Sequence, residues 1–373
     1  MHTQSWQTVN IWFTTLQWGR RTVTLFEMVR PFTLRDFALV RRLSEQGVSL
    51  HAESALADNL QPLRGALLGM VARHESPTLI WKSEDRAQHG FIQLLLEADG
   101  QHAHILYLSP MVHASLAQNG SEADVVDNTA VWLSLLDQAV VEAGQNGVHS
   151  LVAEVDENGP ELPILRQSGF AVYARQDIWV LDKDATLNLD LGPTRRLRPR
   201  LEKDDWDVQL LYANTVPRLV QLVEPLPPAA ENQCWVQRDE TSNELTAFVQ
   251  IHEGVVATWL RFFLHPSAEH EAEQILQAAL SVKSARADQP VYCCVRRYEG
   301  WLPSVLERAG FRIWGSQAVM VKHTVHHVQR PEPRTAVVME NAGIPVSSPY
   351  SHRYEKPVAG EGVATIQDDH ARS

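Results

Sequence analysis

One phrase constrains this chain more than any other, because it occurs twice. Residues 162–170 read LPILRQSGF, and residues 302–311 read LPSVLERAGF. When the two Gly-Phe pairs are aligned, Gln176 also matches Gln317. Far upstream of each copy, VRPFTLRDF parallels LRPRLEKDDW. Since both the beginnings and the ends match, the sequence predicts a duplicated domain rather than a short-period solenoid.

The length of 373 residues is enough for two such domains, each with its own core. We predict a first copy at 28–181, a linker with Asp, Asn and Gly-Pro at 182–195, and a second copy at 196–324. Residues 1–27 are interpreted as an N-terminal extension, either loosely attached or packed as an extra strand or helix through its tryptophans. Residues 325–373, which lack periodicity, are predicted to form a disordered tail.

Apolar periodicity gives the same order of elements in both copies: strand, helix or helices, three antiparallel strands, helix, strand, helix, strand. Helices are predicted at 36–46, 125–144 and 268–284 and at each repeated phrase. Strands are predicted at 78–82, 90–98, 102–110, 150–155, 170–181, 234–238, 244–252, 255–264, 290–297 and 311–324. The predicted fold class is therefore α/β: two tandem three-layer α/β sandwiches on mixed, mainly antiparallel sheets.

Charge and cysteine content exclude several classes of function. The formal net charge is −12 without a long Lys/Arg block, which disfavours nucleic acid and membrane surfaces as partners. No run reaches the roughly 18 apolar residues of a membrane span, and the N-terminal stretch makes a poor signal peptide. Three cysteines, two of them adjacent, do not form a disulfide framework. We therefore expect a cytoplasmic protein.

In their order, these elements and motifs resemble the GNAT superfamily of acetyl-CoA-dependent N-acetyltransferases. The resemblance covers both copies and is carried by the VRPFTLRDF opening and by Asn158, the following helix and Gly169-Phe170. It implies an acyl-CoA co-substrate, with Leu108, Asn119, Gly120 and Asn158 at the coenzyme and no metal. The histidines of the tail have no zinc-site spacing.

The sequence departs from the family pattern at two places. The resemblance implies a glycine-rich loop that holds pyrophosphate at a helix start, where backbone N–H groups meet an anion. Neither copy has that loop; Glu122–Asp127 and Glu269–Glu273 bring acidic side chains there, which we interpret as helix caps. The family's proton-donating tyrosine corresponds to Leu165 and Leu306.

Three residues are candidates for proton transfer. Glu154 lies between Ala153 and Val155 in a predicted buried strand, where an unpaired carboxylate is costly, and Glu97 ends another strand. Either can act as the base that accepts the proton of an amine, although a partner arginine or an exposed strand face explains Glu154 equally well. Tyr173 can replace the missing tyrosine, or it can be a packed strand aromatic.

Two functions remain open at this point. The first is an N-acyltransferase that moves an acetyl or acyl group to a small-molecule or peptide amine, with the first copy as the active one. The second is a catalytically inactive descendant that binds a ligand or a protein in the same cleft. In both cases we expect the two copies to pack as an intramolecular pseudo-dimer.

Overall fold

The computed structural model describes residues 29–71, 77–83, 88–97, 99–116, 124–185, 197–226, 233–239, 241–282 and 289–324. These residues belong to one compact unit that includes both predicted copies. The predicted extension at 1–27, the predicted tail at 325–373 and most of the predicted linker lie outside them. We call residues 29–181 the first half and residues 197–324 the second half.

Fifteen strands are found in the described residues, and ten of them lie close to the predicted positions. They are β1 Arg30–Pro31, β2 Val48–Ser49, β3 Thr78–Lys82, β4 His89–Leu96, β5 His102–Ser109, β6 His113–Leu116, β7 Asp124–Asp127, β8 Ser150–Asp156, β9 Ala171–Leu181, β10 Arg198–Pro199, β11 Cys234–Arg238, β12 Leu245–Glu253, β13 Thr258–Leu264, β14 Val291–Arg296 and β15 Arg312–His323.

Helices connect these strands. They are α1 Phe37–Leu43, α2 Ala52–Leu56, α3 Pro62–Val71, α4 Thr129–Gln145, α5 Glu161–Gln167, α6 Asp205–Thr215, α7 Arg218–Gln221, α8 Ala272–Val282 and α9 Leu302–Ala309. Short 3₁₀ turns precede α1, α6 and α8. The strand and helix order agrees with the α/β prediction.

The repeated phrase forms the same helix end in both halves. Gly169 and Gly310 have φ values of 87° and 96°, a left-handed conformation that glycine adopts without strain. The N–H of Phe170 donates to the carbonyl of Leu165 at 2.9 Å, and the second half repeats this bond from Phe311 to Leu306 at 2.9 Å. In each half the phenylalanine and the leucine are buried in the same core cluster. The phrase is therefore conserved within the chain as a helix-terminating motif that also fills the core.

The beginnings of the halves also share a structure. The guanidinium of Arg30 donates to both carboxylate oxygens of Asp36 at 2.7 and 2.6 Å. Arg198 makes the same two bonds to Asp204, again at 2.7 and 2.6 Å. Each aspartate also accepts a backbone N–H at the start of its helical turn. The Arg-Pro parallel thus reflects an arginine that fixes a capping aspartate.

The two halves share one sheet, because their last strands are exchanged. The strand order is β1-β3-β4-β5-β8-β15-β9-β14-β13-β12-β11-β10, with β2 paired to β5. Strand β15 of the second half lies between β8 and β9 of the first half, and β9 in turn pairs with β14 of the second half. All three contacts are antiparallel. Each half therefore completes its sheet with a strand from the other.

Helices cover both faces of this sheet. On one face, α4 and α5 pack on inward residues of β8, and α8 and α9 pack on those of β13 and β14. On the other face, α1 and α3 cover β3 and β4, while α6 covers β12 and β13. The result is a three-layer arrangement, as predicted from the order of elements.

The structure differs from the sequence expectations between β5 and α4 and after α1. The stretch expected to begin a helix at 125 is β7, which pairs with β6 as a separate hairpin, so α4 begins only at Thr129. After α1, β2 adds to β5 and α2 follows it. Neither β7 nor β2 has the alternation of apolar and polar residues that identifies strands in a sequence.

Candidate active site

A cavity of about 350 Å³ lies over the centre of the sheet, on the face covered by α1–α3 and α6. Both halves line it. The first half contributes His51, Glu53, Glu97, His104 and Glu154, and the second half contributes Glu224, Gln250, Trp259, Arg261, Cys294 and Arg296. Gln176 of the exchanged strand β9 lies between the two sets. Neither half forms this cavity by itself.

The cavity lies where parallel strands diverge. In the first half, β5 and β8 pair in parallel as far as His104 and Val152. In the second half, β13 and β14 pair in parallel as far as Arg261 and Cys294. Divergence of two parallel strands leaves a gap in the sheet, and polar side chains at such a gap can reach a ligand without breaking the ladder.

Glu154 is the buried carboxylate at this gap, with 9 % of its surface exposed. Its Oε2 accepts the backbone N–H of Ala52 at 2.6 Å. Its own N–H donates to the carbonyl of Leu50 at 2.8 Å, so the segment before α2 fixes this residue at both its backbone and its side chain. No hydrogen bond to Oε1 is found among the described residues. One oxygen is therefore held in place, while the other is available to a ligand.

Two histidines beside Glu154 have pKa values that are shifted in opposite directions. Burial lowers the pKa of His104, but the hydrogen bond and the charge of Glu97 outweigh it and raise that pKa above its usual value. The Oε1 of Glu97 lies 2.6 Å from His104 Nε2. Burial, followed by the charge of His104, lowers the pKa of His51 to about 4. Since the N–H of Ser54 donates to His51 Nδ1, neutral His51 carries its proton on Nε2.

The opposite wall carries two arginines and one glutamate. Arg261 Nη2 donates to Glu224 Oε2 at 2.7 Å, and Arg296 Nη2 donates to Glu224 Oε1. The hydroxyl of Tyr173 donates to the same Oε1 at 2.6 Å. Burial would raise the pKa of Glu224, but the charges of Arg296 and Arg261 hold it at about 2. Glu224 is therefore ionised, and Tyr173 stays protonated because burial and Glu224 raise its pKa well above the usual value.

The structure brings the three predicted proton-transfer residues to one region. Glu154 and Glu97 both line the cavity. Tyr173 does not line it but is bonded to Glu224, which does. Their role in catalysis stays a prediction, because their positions do not identify a substrate.

Two of the four predicted coenzyme residues, Leu108 and Asn158, belong to the described residues. Leu108 is fully buried and pairs with Val48 of β2, so its strand edge is already occupied by the chain itself. Asn158 is exposed in the turn after β8, where its N–H donates to Asp156 Oδ1 at 2.7 Å. Asn119 and Gly120 lie outside the described residues.

The segment around β2 occupies the divergence of β5 and β8. The N–H of Leu50 donates to the carbonyl of Leu106 in β5 at 3.0 Å, and the carbonyl of Leu50 accepts the N–H of Glu154 in β8 at 2.8 Å. Leu50 therefore bridges the two strands. Gly47 is needed here, because a Cβ at this position would lie 2.6 Å from the carbonyl oxygen of Leu108. The gap in the first half is therefore filled by backbone.

Capping explains only some of the acidic residues that lie at the helix starts. Asp127 is a cap: its Oδ1 accepts the N–H of Thr129 at 3.0 Å and the Thr129 hydroxyl at 2.6 Å. At the start of α8, Glu271 accepts from the side chain of Gln237 at 2.9 Å, and Glu273 pairs with Arg308 at 2.5 Å. Glu273 lies in the first turn of α8, as the interpretation requires, and both glutamates also bind side chains of neighbouring elements.

Leu165 and Leu306, which stand at the family's tyrosine position, are fully buried core residues. The adjacent cysteines occupy opposite sides of β14: Cys293 packs in the core, and Cys294 lines the cavity. Burial raises the pKa of Cys294 to about 12, and its Sγ donates to Gln176 Oε1 at 3.3 Å. Cys294 is therefore a thiol at neutral pH and not a nucleophilic thiolate.

Sequence reasoning missed the arginines of the cavity. A detectable signal was present, since Arg261 interrupts the apolar run of TWLRFFL and Arg296 follows YCCV. A charge in a buried strand requires a partner, so each arginine predicts a buried anion nearby. The partner, Glu224, comes from the turn after α7, and no sequence spacing relates it to either arginine.

One group of potential metal ligands is found in the described residues. Ligand atoms of Glu97, Asp99 and His102 lie within 4.8 Å of one another at the turn between β4 and β5. Direct bonds account for this approach, because Asp99 binds His102 at 2.5 Å and Glu97 binds His104. Among the helices of the described residues, none is long and apolar enough to cross a membrane.

Comparisons with known proteins identify the fold. No protein-family model and no curated protein matches the chain. Among solved structures, it resembles the glucosamine N-acetyltransferase region of a fungal multidomain GH3 β-N-acetylglucosaminidase, with 13 % identity and a TM-score of 0.51 over 81 % of this chain. This chain spans only 38 % of that protein.

Two further solved structures are similar at a lower score. A GCN5-related N-acetyltransferase from Sphaerobacter thermophilus has 12 % identity, a TM-score of 0.49 and coverage of 80 % of this chain and 96 % of its own. A tandem GNAT protein from the clavulanic acid biosynthesis pathway has 13 % identity, a TM-score of 0.47 and coverage of 80 % and 99 %. Similarity at these identities concerns the fold alone.

Proposed function

Starting from a chain with a GNAT-like fold, we propose that this protein is an N-acyltransferase that transfers an acyl group from acyl-CoA to a small-molecule amine in the central cavity. The observation that carries the proposal is the position of Glu154. It is a buried carboxylate with one oxygen fixed by Ala52 and the other without a hydrogen bond among the described residues, at the gap between diverging strands.

The proposed chemistry uses groups of this chain for proton transfer. Acyl-CoA supplies the thioester carbon that the amine attacks. Glu154 accepts the proton of the amine through Oε1, since a base must lie within hydrogen-bond reach of the proton it removes. The bond from nitrogen to the acyl carbon forms as the carbon–sulfur bond breaks, and the thiolate takes a proton when it leaves. His104 has a raised pKa and faces the same cavity, so it is the proposed source of that proton.

The two gaps differ in how they fit an acyl donor. In the first half, β2 and Leu50 bridge β5 and β8, so the gap does not accept another extended group. In the second half, the described residues contain no backbone segment paired into the gap between β13 and β14. There, Arg308 balances Glu273 at the start of α8. We therefore propose that the donor enters through the second half, while the base comes from the first half.

A coupled assay and a binding assay test this function. Acetyl-CoA and longer acyl-CoAs are incubated with the full chain and a mixture of primary amines, and thiol release and product masses are recorded. A coenzyme present at 100 times its Kd stabilises the folded state by about 2.7 kcal/mol, so thermal unfolding reports binding independently. Acyl-CoA-dependent stabilisation together with an acylated amine is the expected result. The absence of a shift at millimolar acyl-CoA would contradict the proposal.

The filled gap in the first half favours a second candidate, a binding module without catalysis. In that case the cavity binds a small ligand and Glu154 only orients it. A protein that is stabilised by amines but by no acyl-CoA, and that releases no thiol, would have this second function.

A further inference from the structure

We propose that the central cavity selects a ligand that carries both an amine and a carboxylate, with the amine at Glu154 and the carboxylate at Arg261. The proposal deepens the function above by naming the substrate class, and it rests on that function only for the statement that the ligand is acylated. Ligand binding itself can be tested without any acyl donor.

The charges of the cavity are separated by half. The wall from the first half carries three carboxyl groups, those of Glu53, Glu97 and Glu154, and the imidazole of His104, which is bonded to Glu97. The wall from the second half carries the two arginines described above against one carboxylate, Glu224. One side is thus rich in negative charge and the other in positive charge. A ligand with opposite charges at its two ends complements both sides at once.

Glu224 cannot neutralise two arginines. Both bind it through Nη2 alone, and Arg296 is only 4 % exposed. The Nε and Nη1 atoms of Arg296 and the Nε of Arg261 are buried and have no hydrogen-bond partner among the described residues. Excess positive charge in a buried site is costly unless an anion balances it. This imbalance points to a negatively charged group of a ligand.

Arg261 is the arginine that can meet that group. Its Nη1 makes no hydrogen bond to the described residues and, unlike its Nε, is not among the buried unpartnered atoms. The guanidinium lies 5.0 Å above the ring centre of Phe263, which holds the plane of its donors in one orientation. Glu224 fixes one side of this guanidinium, and the aromatic ring fixes one of its faces. The remaining planar edge of N–H donors suits a carboxylate.

Glu299 is the other carboxyl group near these arginines. Its Oε2 accepts the N–H of Arg296 at 3.0 Å, and burial raises its pKa to about 7 in spite of the arginine charges. Glu299 therefore neutralises the charge of the arginines only incompletely near neutral pH. Tyr173, Tyr298 and Cys294, three further titratable neighbours of the arginines, are uncharged.

The size of the cavity limits the ligand. About 350 Å³ lies near the lower end of the 300–1,000 Å³ range that is usual for ligand pockets. Such a volume suits a single amino acid or a similar short molecule rather than an extended peptide. Of the two acceptor classes that the sequence left open, the cavity favours the small molecule.

A length series measures this selectivity on the wild-type protein. Isothermal titration uses glycine, 4-aminobutyrate and 6-aminohexanoate, each compared with the alkylamine and the carboxylic acid of the same chain length. We expect at least one amino acid to bind about tenfold more tightly than both of its matched compounds, which corresponds to one charge-assisted hydrogen bond. If every amine binds as tightly as its amino acid, or if no compound binds, the proposal is overturned.

A variant assigns the carboxylate end. Arg261→Gln removes the charge, and we expect the affinity for the preferred amino acid to fall about tenfold, to that of the matched amine, with amine binding retained. Arg312→Gln is the control, because it removes an arginine from an exposed ion pair outside the cavity. An unchanged preference in Arg261→Gln contradicts the proposal. If this variant does not fold, the wild-type series decides.

The results separate the two proposals. Selective amino-acid binding without acyl transfer contradicts the proposed function but leaves this inference intact. Acyl transfer at equal rates to amines and amino acids contradicts the inference and leaves the function intact.

Discussion

Gln176 and Gln317, which occupy equivalent positions in the two repeats, are bonded to each other. They are cross-strand partners in β9 and β15, and the Nε2 of Gln176 donates to the Oε1 of Gln317 at 2.8 Å across a separation of 141 residues. Gln176 is fully buried and also accepts from Cys294. The two exchanged strands thus meet at a polar contact beside the cavity.

This contact leads to a prediction about stability. Gln176→Leu leaves Gln317 Oε1 and the Cys294 thiol without their partner, and we expect it to lower the free energy of unfolding by about 1–3 kcal/mol. The double variant with Gln317→Leu removes both polar groups and should cost less than the sum of the single variants. Urea denaturation of the two single variants and the double variant measures the coupling. Strictly additive effects would contradict a direct contact.

Glu154→Gln tests the proposed base. Glutamine keeps an oxygen that can accept the Ala52 N–H, so the fold should be retained, but an amide cannot accept the proton of an amine. If the protein acylates amines, we expect kcat to fall by at least about 100-fold with acyl-CoA binding unchanged. Glu157→Gln, in a residue that pairs with arginines outside the cavity, is the control and should retain activity.

Gly254 lies at a close contact between the two halves. The N–H of Val256 donates to Ala57 at 2.8 Å, and a Cβ on Gly254 would lie 2.3 Å from the same Ala57 carbonyl oxygen. We therefore expect Gly254→Ala to destabilise the protein by about 1–3 kcal/mol and to increase hydrogen exchange in α2. Gly300→Ala is the matched control, since nothing lies within 4 Å of its Cβ position. Equal stability of the two variants would argue against this contact.

The raised pKa of Glu299 predicts that the stability of the protein depends on pH. Burial raises its pKa from 4.5 to about 7 in the folded protein. A carboxyl group whose pKa is raised favours folding below its unfolded pKa, and this contribution is lost as the pH rises through about 7. Glu299→Gln removes the titration, so we expect it to gain stability relative to the wild type by up to roughly 3 kcal/mol at pH 8.5 and little at pH 4.5.

Chemical denaturation at both pH values measures this difference. Glu307→Gln, at an exposed position of α9, serves as the control and should change stability by less than about 0.5 kcal/mol at either pH. A constant difference between the Glu299 variant and the wild type across this range would contradict the raised pKa.

Much of the fold could be predicted from local patterns. The repeated LPxxLxxxGF-like phrase, the Arg-Pro openings and the apolar periodicity identified the strands and the GNAT-like order, because each depends on residues that are close in sequence. The hairpin β6–β7 and the strand β2 were missed, since a strand of two to four residues has too few positions for a periodic signal.

The site could be predicted only in part, for a different reason. Glu154 and Glu97 were chosen because a carboxylate within or beside a buried strand needs a partner or a role. The opposite wall, with Arg261, Arg296 and Glu224, belongs to the second half, and the exchange of β9 and β15 brings it to the residues of the first half. Pairing across such distances is set by the assembled sheet and has no local sequence signature.

The strand exchange also affects how the chain folds during synthesis. One of the two sheet neighbours of β8 is β15, which is among the last described segments to leave the ribosome. Until then the nascent first half exposes an edge of β8, and β9 has at most one of its two neighbours, β14. Multidomain chains commonly fold one domain at a time from the N-terminus, but here the first repeat cannot reach its native sheet before the second is made.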